Sequence, residues 1–411
     1  MQNRLFYLIF NILLIVSMDI LSVNTDNVFA NPAQQQVQLE SLANRALTSG
    51  IDLFMQKNYK EAVNEFQRAV GLAPQGQFAI DASNYMAEAY LKLNKTEKAI
   101  KAFQTSVQLN PYRDDTHITL GNLYFSLNRH KEAEGEYQEA IRINPSDNNH
   151  YALGQTYLVM EQFSDAEREF NTVKRLSPFK PNGNFGLGLV HSRRGDSEKA
   201  VRFFEAALDR NNDFYDAYAE MGYAYADMGQ LEEAQEIVDL LKEKAPGLAD
   251  TLSQYMYEVK QPKFSLAYST EFMYRRSMNT QVASLDVYLA DANTSKTFAM
   301  KFAFDKQMDR ESVENTLNWE INRTSGGGPS EMYNFGLPVA DTEVAISLHP
   351  NHVYYDDKDQ MAVVYFTIQQ NDTADGTIDP SHIEFTFTGK DQFGLKMDPT
   401  ADQFTGFSGI A

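Results

Sequence analysis

An alanine recurs through the first part of this 411-residue chain, at Ala62, Ala99, Ala133, Ala166, Ala200 and Ala234, with successive separations of 37, 34, 33, 34 and 34 residues. Four residues after each stands Phe66, Phe103, Tyr137, Phe170, Phe204 or Val238, and twelve after each stands Pro74, Pro111, Pro145, Pro178, Asn212 or Pro246. Twelve before each lies Gly50, Ala87, Gly121, Gly154, Gly188 or Gly222, and three further on Leu53, Tyr90, Tyr124, Tyr157, His191 or Tyr225. A period near 34 residues means an array in which no unit buries its apolar face alone. Each unit reads as two amphipathic helices. The small residue of the first helix admits the second at close range, an aromatic fills the gap between hairpins, and Pro ends the second helix.

These registers resemble the tetratricopeptide repeat, with six hairpins over residues 40–260. The amphipathic stretch from Leu248 to Val259 is expected to close the array as a final helix. Gly183-Asn184-Phe185-Gly186-Leu187-Gly188 falls on a first helix at the wrong spacing for a phosphate cradle, so packing accounts for it.

At Pro262 the apolar period changes from 3.6 to 2. Phe298, Met300, Phe302 and Phe304 alternate with small or polar residues, as do Leu285, Val287 and Leu289, and Val344, Ile346 and Leu348. A dense run from Met361 to Ile368 follows, then Ile383, Phe385 and Phe387, with turns at 326–329 and Asp375-Gly376. Residues 263–411 thus read as an antiparallel β-sandwich. The run Phe302-Ala303-Phe304-Asp305-Lys306-Gln307-Met308-Asp309, with Ser312-Val313 and Asn318-Trp319-Glu320-Ile321 after it, is similar to the bacterial Ig-like domain of surface-layer proteins, although Gln307 stands where that family has Pro. The closing 389–394 and Met397-Asp398 fit the final hairpin of the same fold. The fold class expected is therefore multidomain, α then β: an α-solenoid followed by an Ig-like sandwich. The second resemblance implies an extracytoplasmic setting and no particular chemistry.

The N-terminus reads as a targeting segment. Arg4 precedes the apolar run Leu5 to Val16, and Val28-Phe29-Ala30 offers small residues for cleavage after Ala30. Residues 1–30 are thus a signal peptide or a retained anchor, and 31–39 a linker. Cysteine is absent, which excludes disulfides and thiol chemistry and fits an exported bacterial protein, in the periplasm or on the outer surface. The net charge is −20. From residue 261 onward 11 Lys/Arg stand against 21 Asp/Glu, so neither half offers the basic stripe that nucleic acid requires.

No hydrolase elbow, zinc-protease helix or Walker loop occurs, so the chain is expected to be no enzyme and to need no cofactor. The register places His117 and His150 at equivalent first-helix positions of adjacent repeats, where they could face each other; core or inter-repeat packing is the expected role and a metal pair the alternative. His349 and His352 flank a turn with no third ligand in the sequence. Asp372, Asp375 and Asp379, around Gly376, partly match a calcium loop. His382 stands where a bidentate Glu belongs, and an Asp-Gly turn is the plainer reading.

The stronger signal is the concave face that first helices line in this kind of repeat. Matching positions give Asn84, Glu88, Asn122, Phe125, Asn148, Tyr151, Gln155, Asn182, Phe185, Asp216 and Tyr223. Amides both donate to and accept from a peptide backbone, and aromatics add contact area at low entropic cost. None of these positions is basic, which disfavours capture of a C-terminal carboxylate. The expected function is a scaffold holding a protein or extended polypeptide, with the Ig-like domain as spacer or docking module. The alternative is a self-associating envelope component. Composition does not fix the oligomeric state.

Overall fold

A computed structural model describes residues 32–407 and 409–410. Residues 1–30, expected to be a targeting segment, lie outside these. The chain divides into two compact units, one ending at Ala224 and one running from Tyr225 to Ala411. The boundary expected near residue 262 falls inside the second unit.

In the first unit, hairpins follow one another as α1 (Pro32–Met55) and α2 (Tyr59–Leu72), α3 (Gln77–Lys92) and α4 (Thr96–Leu109), then α5 (Asp114–Ser126) and α6 (His130–Ile143). Next come α7 (Asp147–Val159) and α8 (Phe163–Leu176), α9 (Asn182–Arg193) and α10 (Ser197–Leu208), and α11 (Tyr215–Asp227). The 31–39 stretch read as a linker is helical from Pro32, so α1 is longer than any other helix described. Its run Gln34-Gln35-Gln36-Val37-Gln38-Leu39 contains good helix formers and no breaker.

Each turn between paired helices holds one residue in the left-handed region: Lys57, Asn94, Asn128, Glu161, Gly195 and Gly229. These keep the 34-residue beat, and the following amide closes a Schellman-type bond to a carbonyl five residues back, as from Lys95 to Tyr90 (2.8 Å) and Gln162 to Tyr157 (2.8 Å). Sequence reading missed the register because Lys57 and Glu161 are not the Gly or Asn such positions favour.

The small residues do what their spacing implied. A Cβ built on Gly154 would lie 2.8 Å from the ring of Phe170, and one on Gly121 2.7 Å from that of Tyr137. The Phe170 ring is also fixed from the far side, because a Cβ on Gly186 of the next hairpin would meet it at 2.3 Å. Successive hairpins are joined by a repeated hydrogen bond from a second-helix Gln to a first-helix Tyr hydroxyl: Gln67 to Tyr90 (3.1 Å), Gln104 to Tyr124 (3.0 Å) and Gln138 to Tyr157 (3.1 Å). Asn171 and His191 break the series in the next repeat.

The second unit takes in the end of α11, then α12 (Leu231–Lys244) and α13 (Pro246–Val259), the closing helix. Strands β1 (Phe264–Tyr268), β3 (Ser295–Phe304), β6 (Met361–Gln369) and β5 (His352–Asp356) form one antiparallel sheet in the order β1-β3-β6-β5. The other is β10-β9-β8-β4, from Gly409–Ile410, Gln403–Thr405, Ile383–Phe387 and Trp319–Arg323, and β2 (Thr280–Gln281) pairs with β7 (Thr377–Ile378) apart. The two larger sheets share one core: Phe302 lies 5.5 Å from Phe385 and 5.2 Å from Trp319. Asp309 caps the short α14 (Arg310–Glu314) by accepting from the Ser312 amide at 3.0 Å.

Two expected strands are absent. Leu285 and Leu289 are buried, but the stretch folds as two 3₁₀ turns, the second capped by Asp286, which accepts from the Tyr288 amide at 2.9 Å. Residues 344–348 touch neighbours only through single bridges, such as Ile346 with Ile368, and no ladder forms. In both, the apolar alternation does not make one buried face, since Val287 and Leu348 are exposed while Leu285, Leu289 and Val344 are buried.

A buried lysine ties α13 to the sandwich. Lys306 donates to the carbonyls of Tyr257 (2.7 Å) and Lys260 (2.8 Å) and pairs with Asp391 at 2.6 Å. Its ammonium lies 5.0 Å from the rings of both Tyr257 and Phe393. Its side chain is 1% exposed and that of Asp391 0%. The last carbonyls of a helix otherwise lack partners, so this one group satisfies them and a buried carboxylate together.

Two stability tests follow from this packing. Gly154→Ala gains helix propensity but meets a ring that cannot retreat, so a net loss of about 1–3 kcal/mol is expected in denaturant unfolding, and Gly154→Leu should not fold. Lys306→Met strands Asp391 and should cost about 3–5 kcal/mol, while adding Asp391→Leu should restore much of that.

Candidate binding groove

First helices pack on one another in two places, α1 against α3 and α7 against α9, and their outward positions make up the candidate face. On it Glu88, Asn122, Asn148 and Asp216 are exposed, and Asn84, Phe125, Tyr151, Gln155, Asn182 and Tyr223 are half-buried. Phe185 differs. It is 8% exposed and packs on Phe204 (5.8 Å) and Phe214 (4.7 Å), which makes it core.

Internal bonds orient the amides. Asn122 accepts from the Tyr137 hydroxyl at 2.7 Å, leaving its NH₂ to donate. Gln155 donates to the Tyr151 hydroxyl at 3.1 Å, leaving its carbonyl to accept, and the Tyr151 ring rests on Phe170 (5.5 Å). Asn84 donates weakly to Thr116 (3.5 Å).

The face is electrostatically tense. Burial, and then the charge of Asp216, push the Tyr151 phenol above its ordinary range, so residues of α7 and α11 act on one another. Glu220, one turn from Asp216, has its carboxyl raised by burial, with Arg193 opposing and Asp216 adding. Burial likewise raises Glu88, and Lys92 opposes it. Glu220, Lys92 and Arg193 escaped the sequence reading, which followed four positions per helix. A step of four from Asp216 and Glu88 would have found the first two.

Other candidate sites resolve differently. His117 and His150 do not face each other. Each pairs across its own hairpin, with Glu136 (2.7 Å) and Glu169 (2.6 Å), a second repeated contact nineteen residues apart. His349 contacts the Trp319 carbonyl (2.8 Å), and His352 stacks on Tyr365 (4.2 Å). The three acidic residues of the calcium-like loop are not gathered. Asp372 is exposed, Asp375 accepts from Asn371 (2.8 Å) and Thr373, and Asp379 is buried against His382 (2.8 Å) and Ser381 (3.0 Å). Among the described residues no group of three or more His, Cys, Asp or Glu could hold a metal ion. Ser381, His382 and Asp379 do not make a catalytic triad, because serine and aspartate meet the same ring nitrogen, Nδ1.

The helical array is a tetratricopeptide-repeat solenoid, followed by a β-rich region of antiparallel sheets. Family models of the tetratricopeptide repeat match residues 84–148, 151–213 and 193–254. Among curated proteins, 92 residues are 32% identical to human protein O-mannosyl-transferase TMTC2, and 115 residues are 28% identical to Hsp70-Hsp90 organizing protein 1 of Glycine max. The matches take in 22% and 28% of this chain but only 11% and 19% of those proteins. A solved tetratricopeptide repeat protein from Parabacteroides merdae is 14% identical over 53% of this chain and 89% of its own, with a TM-score of 0.47. YrrB, described as a TPR protein with an unusual peptide-binding site, is 21% identical over 46% of this chain and 97% of its own, with a TM-score of 0.36. Among the described residues no helix is long and apolar enough to cross a membrane.

The raised carboxyl of Glu220 sets a pH dependence. The folded chain holds this proton to higher pH than the unfolded chain, so ionisation costs stability as pH rises from the ordinary glutamate range toward neutrality. Glu220→Gln is expected to melt above the parent at pH 7. The two should converge at about pH 4 and below, where both states hold the proton.

Proposed function

We propose that the protein is an exported, non-catalytic scaffold whose first-helix face holds an extended, neutral-to-basic polypeptide. The supporting observation is the pairing of a half-buried aromatic, Tyr151, with exposed hydrogen-bonding and acidic groups: Asn122, Asn148, Glu88 and Asp216. Backbone bonds to the amides would set register at roughly 0.5–1.5 kcal/mol each. Tyr151 would anchor, and the carboxylates would speed encounter with a basic partner. Seating a cation beside Glu220 would also relieve the cost of its burial.

In this reading the β-rich region is an Ig-like spacer or docking module, and the protein works in the periplasm or on the outer surface of a bacterium. The absence of cysteine and the N-terminal apolar run support that setting.

The test is surface-plasmon kinetics on a peptide captured from native envelope. Tyr151→Ala should speed release roughly tenfold and leave capture almost unchanged. Glu88→Lys should slow capture and weaken its salt dependence. If both variants bind like the parent while second-helix substitutions abolish binding, the opposite face is the site. If the protein captures only itself, the envelope-component reading holds.

A further inference from the structure

After β4 the chain makes a turn that costs free energy to hold. Asn334, Phe335 and Gly336 all have positive φ (51°, 52° and 73°), and a bulky residue such as Phe335 enters that region only under constraint. Two groups of the same segment, 324–336, add to the cost: Asn334 Oδ1 and Thr324 Oγ1 are buried with no hydrogen-bond partner among the described groups. At its end Phe335, Leu337 and Val339 stand exposed. The contacts that hold the segment must outweigh all of this.

They converge on His382 and Asp379, whose side chains are 1% and 0% exposed. His382 Nε2 lies 3.1 Å from the Ser330 carbonyl, which can only accept, so this nitrogen carries a hydrogen. Nδ1 lies 2.8 Å from Asp379 Oδ2, which also accepts from the Asn334 amide at 3.0 Å. A lone pair on Nδ1 would repel that oxygen, so a proton lies between the two. Donation from the Ser381 hydroxyl to Nδ1 (3.1 Å) would still leave Nδ1 and Oδ2 facing each other with no hydrogen between them. The pair therefore holds one proton more than a neutral imidazole beside a carboxylate. The same two residues tie the segment by their backbones. The Thr324 amide donates to the His382 carbonyl (3.0 Å), and the Asp379 amide to the Tyr333 hydroxyl (2.9 Å). The rings of Phe335 and Phe407 lie against the imidazole at 5.0 and 4.8 Å.

The surrounding charges balance only with that proton present. Glu343 takes the Tyr333 hydroxyl, and Arg323 stands 3.7 Å from Glu343 and 5.1 Å from the centre of the Tyr333 ring. Burial raises the Glu343 carboxyl, Tyr333 and Arg323 oppose, and Asp379 adds to the rise. Two carboxylates thus meet two cations, Arg323 and His382, and removing the ring proton leaves a buried negative charge uncompensated. We propose that His382 is a proton-operated latch: charged, it pins the strained segment 324–336, and neutral, as pH rises, it lets the segment go. The latch lies in the β-rich unit and does not depend on the reading given for the helical groove.

The test is hydrogen exchange of the full chain from about pH 6 to 9, read by mass spectrometry on peptides covering 324–336 and corrected for the intrinsic rate of exchange. The closed segment binds one proton more than the open one. Its opening should therefore increase with pH, by up to about tenfold per unit, while the β3–β6 ladder stays level. His382→Gln, neutral throughout, should open more readily at the acid end and show no such increase. Glu343→Gln should keep the increase, because the other buried acid is not its source. Should His382→Gln fail to fold, Asp379→Asn removes the same proton and should be equally level. A level profile in the parent, an increase retained when His382 or Asp379 is replaced, or its loss in Glu343→Gln would each overturn the proposal.

Discussion

In four of the hairpins, an aromatic ring on the second helix lies against the bare backbone of a glycine on the first. Gly50 with Phe66, Gly121 with Tyr137, Gly154 with Phe170 and Gly188 with Phe204 are the same contact repeated, and a methyl group at any of these glycines would fall at 2.4–2.8 Å from the ring. The distance between paired helices follows from it. So does the gap into which the next hairpin fits, since Phe170 also meets Gly186. Interiors at crystal-like density do not absorb an added carbon freely, so the glycine of each of these four hairpins fixes a geometry that its neighbours inherit.

A second layer of polar contacts makes the repeats specific to one another. The Gln-to-Tyr bonds run between hairpins, and the His-to-Glu pairs of His117 and His150 run within them. Both run from one side of the first helices, where His150 and Tyr157 stand two turns apart on α7, and leave the side that carries Tyr151 for other use. There, burial raises Tyr151 and Glu220, so this face carries an electrostatic cost. Charge kept in a desolvated, half-open place is available to a partner of opposite sign.

The second unit is organised around a different constraint. Its core is a stack of aromatic rings between two sheets, and the last turn of α13 is held by one ammonium, that of Lys306. Because Lys306 satisfies helix carbonyls and Asp391 at once, closing helix and sandwich share a buried polar centre. That bond explains why a boundary drawn at the change of hydrophobic period does not coincide with the boundary of compactness.

The array was legible because its information is local and repeated. Ala62 to Ala234, the glycines before them and the aromatics after them keep one spacing, and that spacing implies paired helices before any coordinate is known. Strands β3, β6 and β8 were equally plain, each showing one apolar face. Where a residue's role depends on what a distant segment brings, the sequence was silent or misleading. Leu285 and Val344 alternate like strands but find no ladder partner, and Phe185 looks like a groove aromatic until Phe204 and Phe214 enclose it. Nothing in the spacing around Lys306 marks it as buried, and the carbonyls of Tyr257 and Lys260 that hold it come from a segment far away in the chain. Periodicity specifies which face of an element is apolar. Burial of a single polar group depends on the approach of elements far apart in the chain, and only tertiary structure decides that.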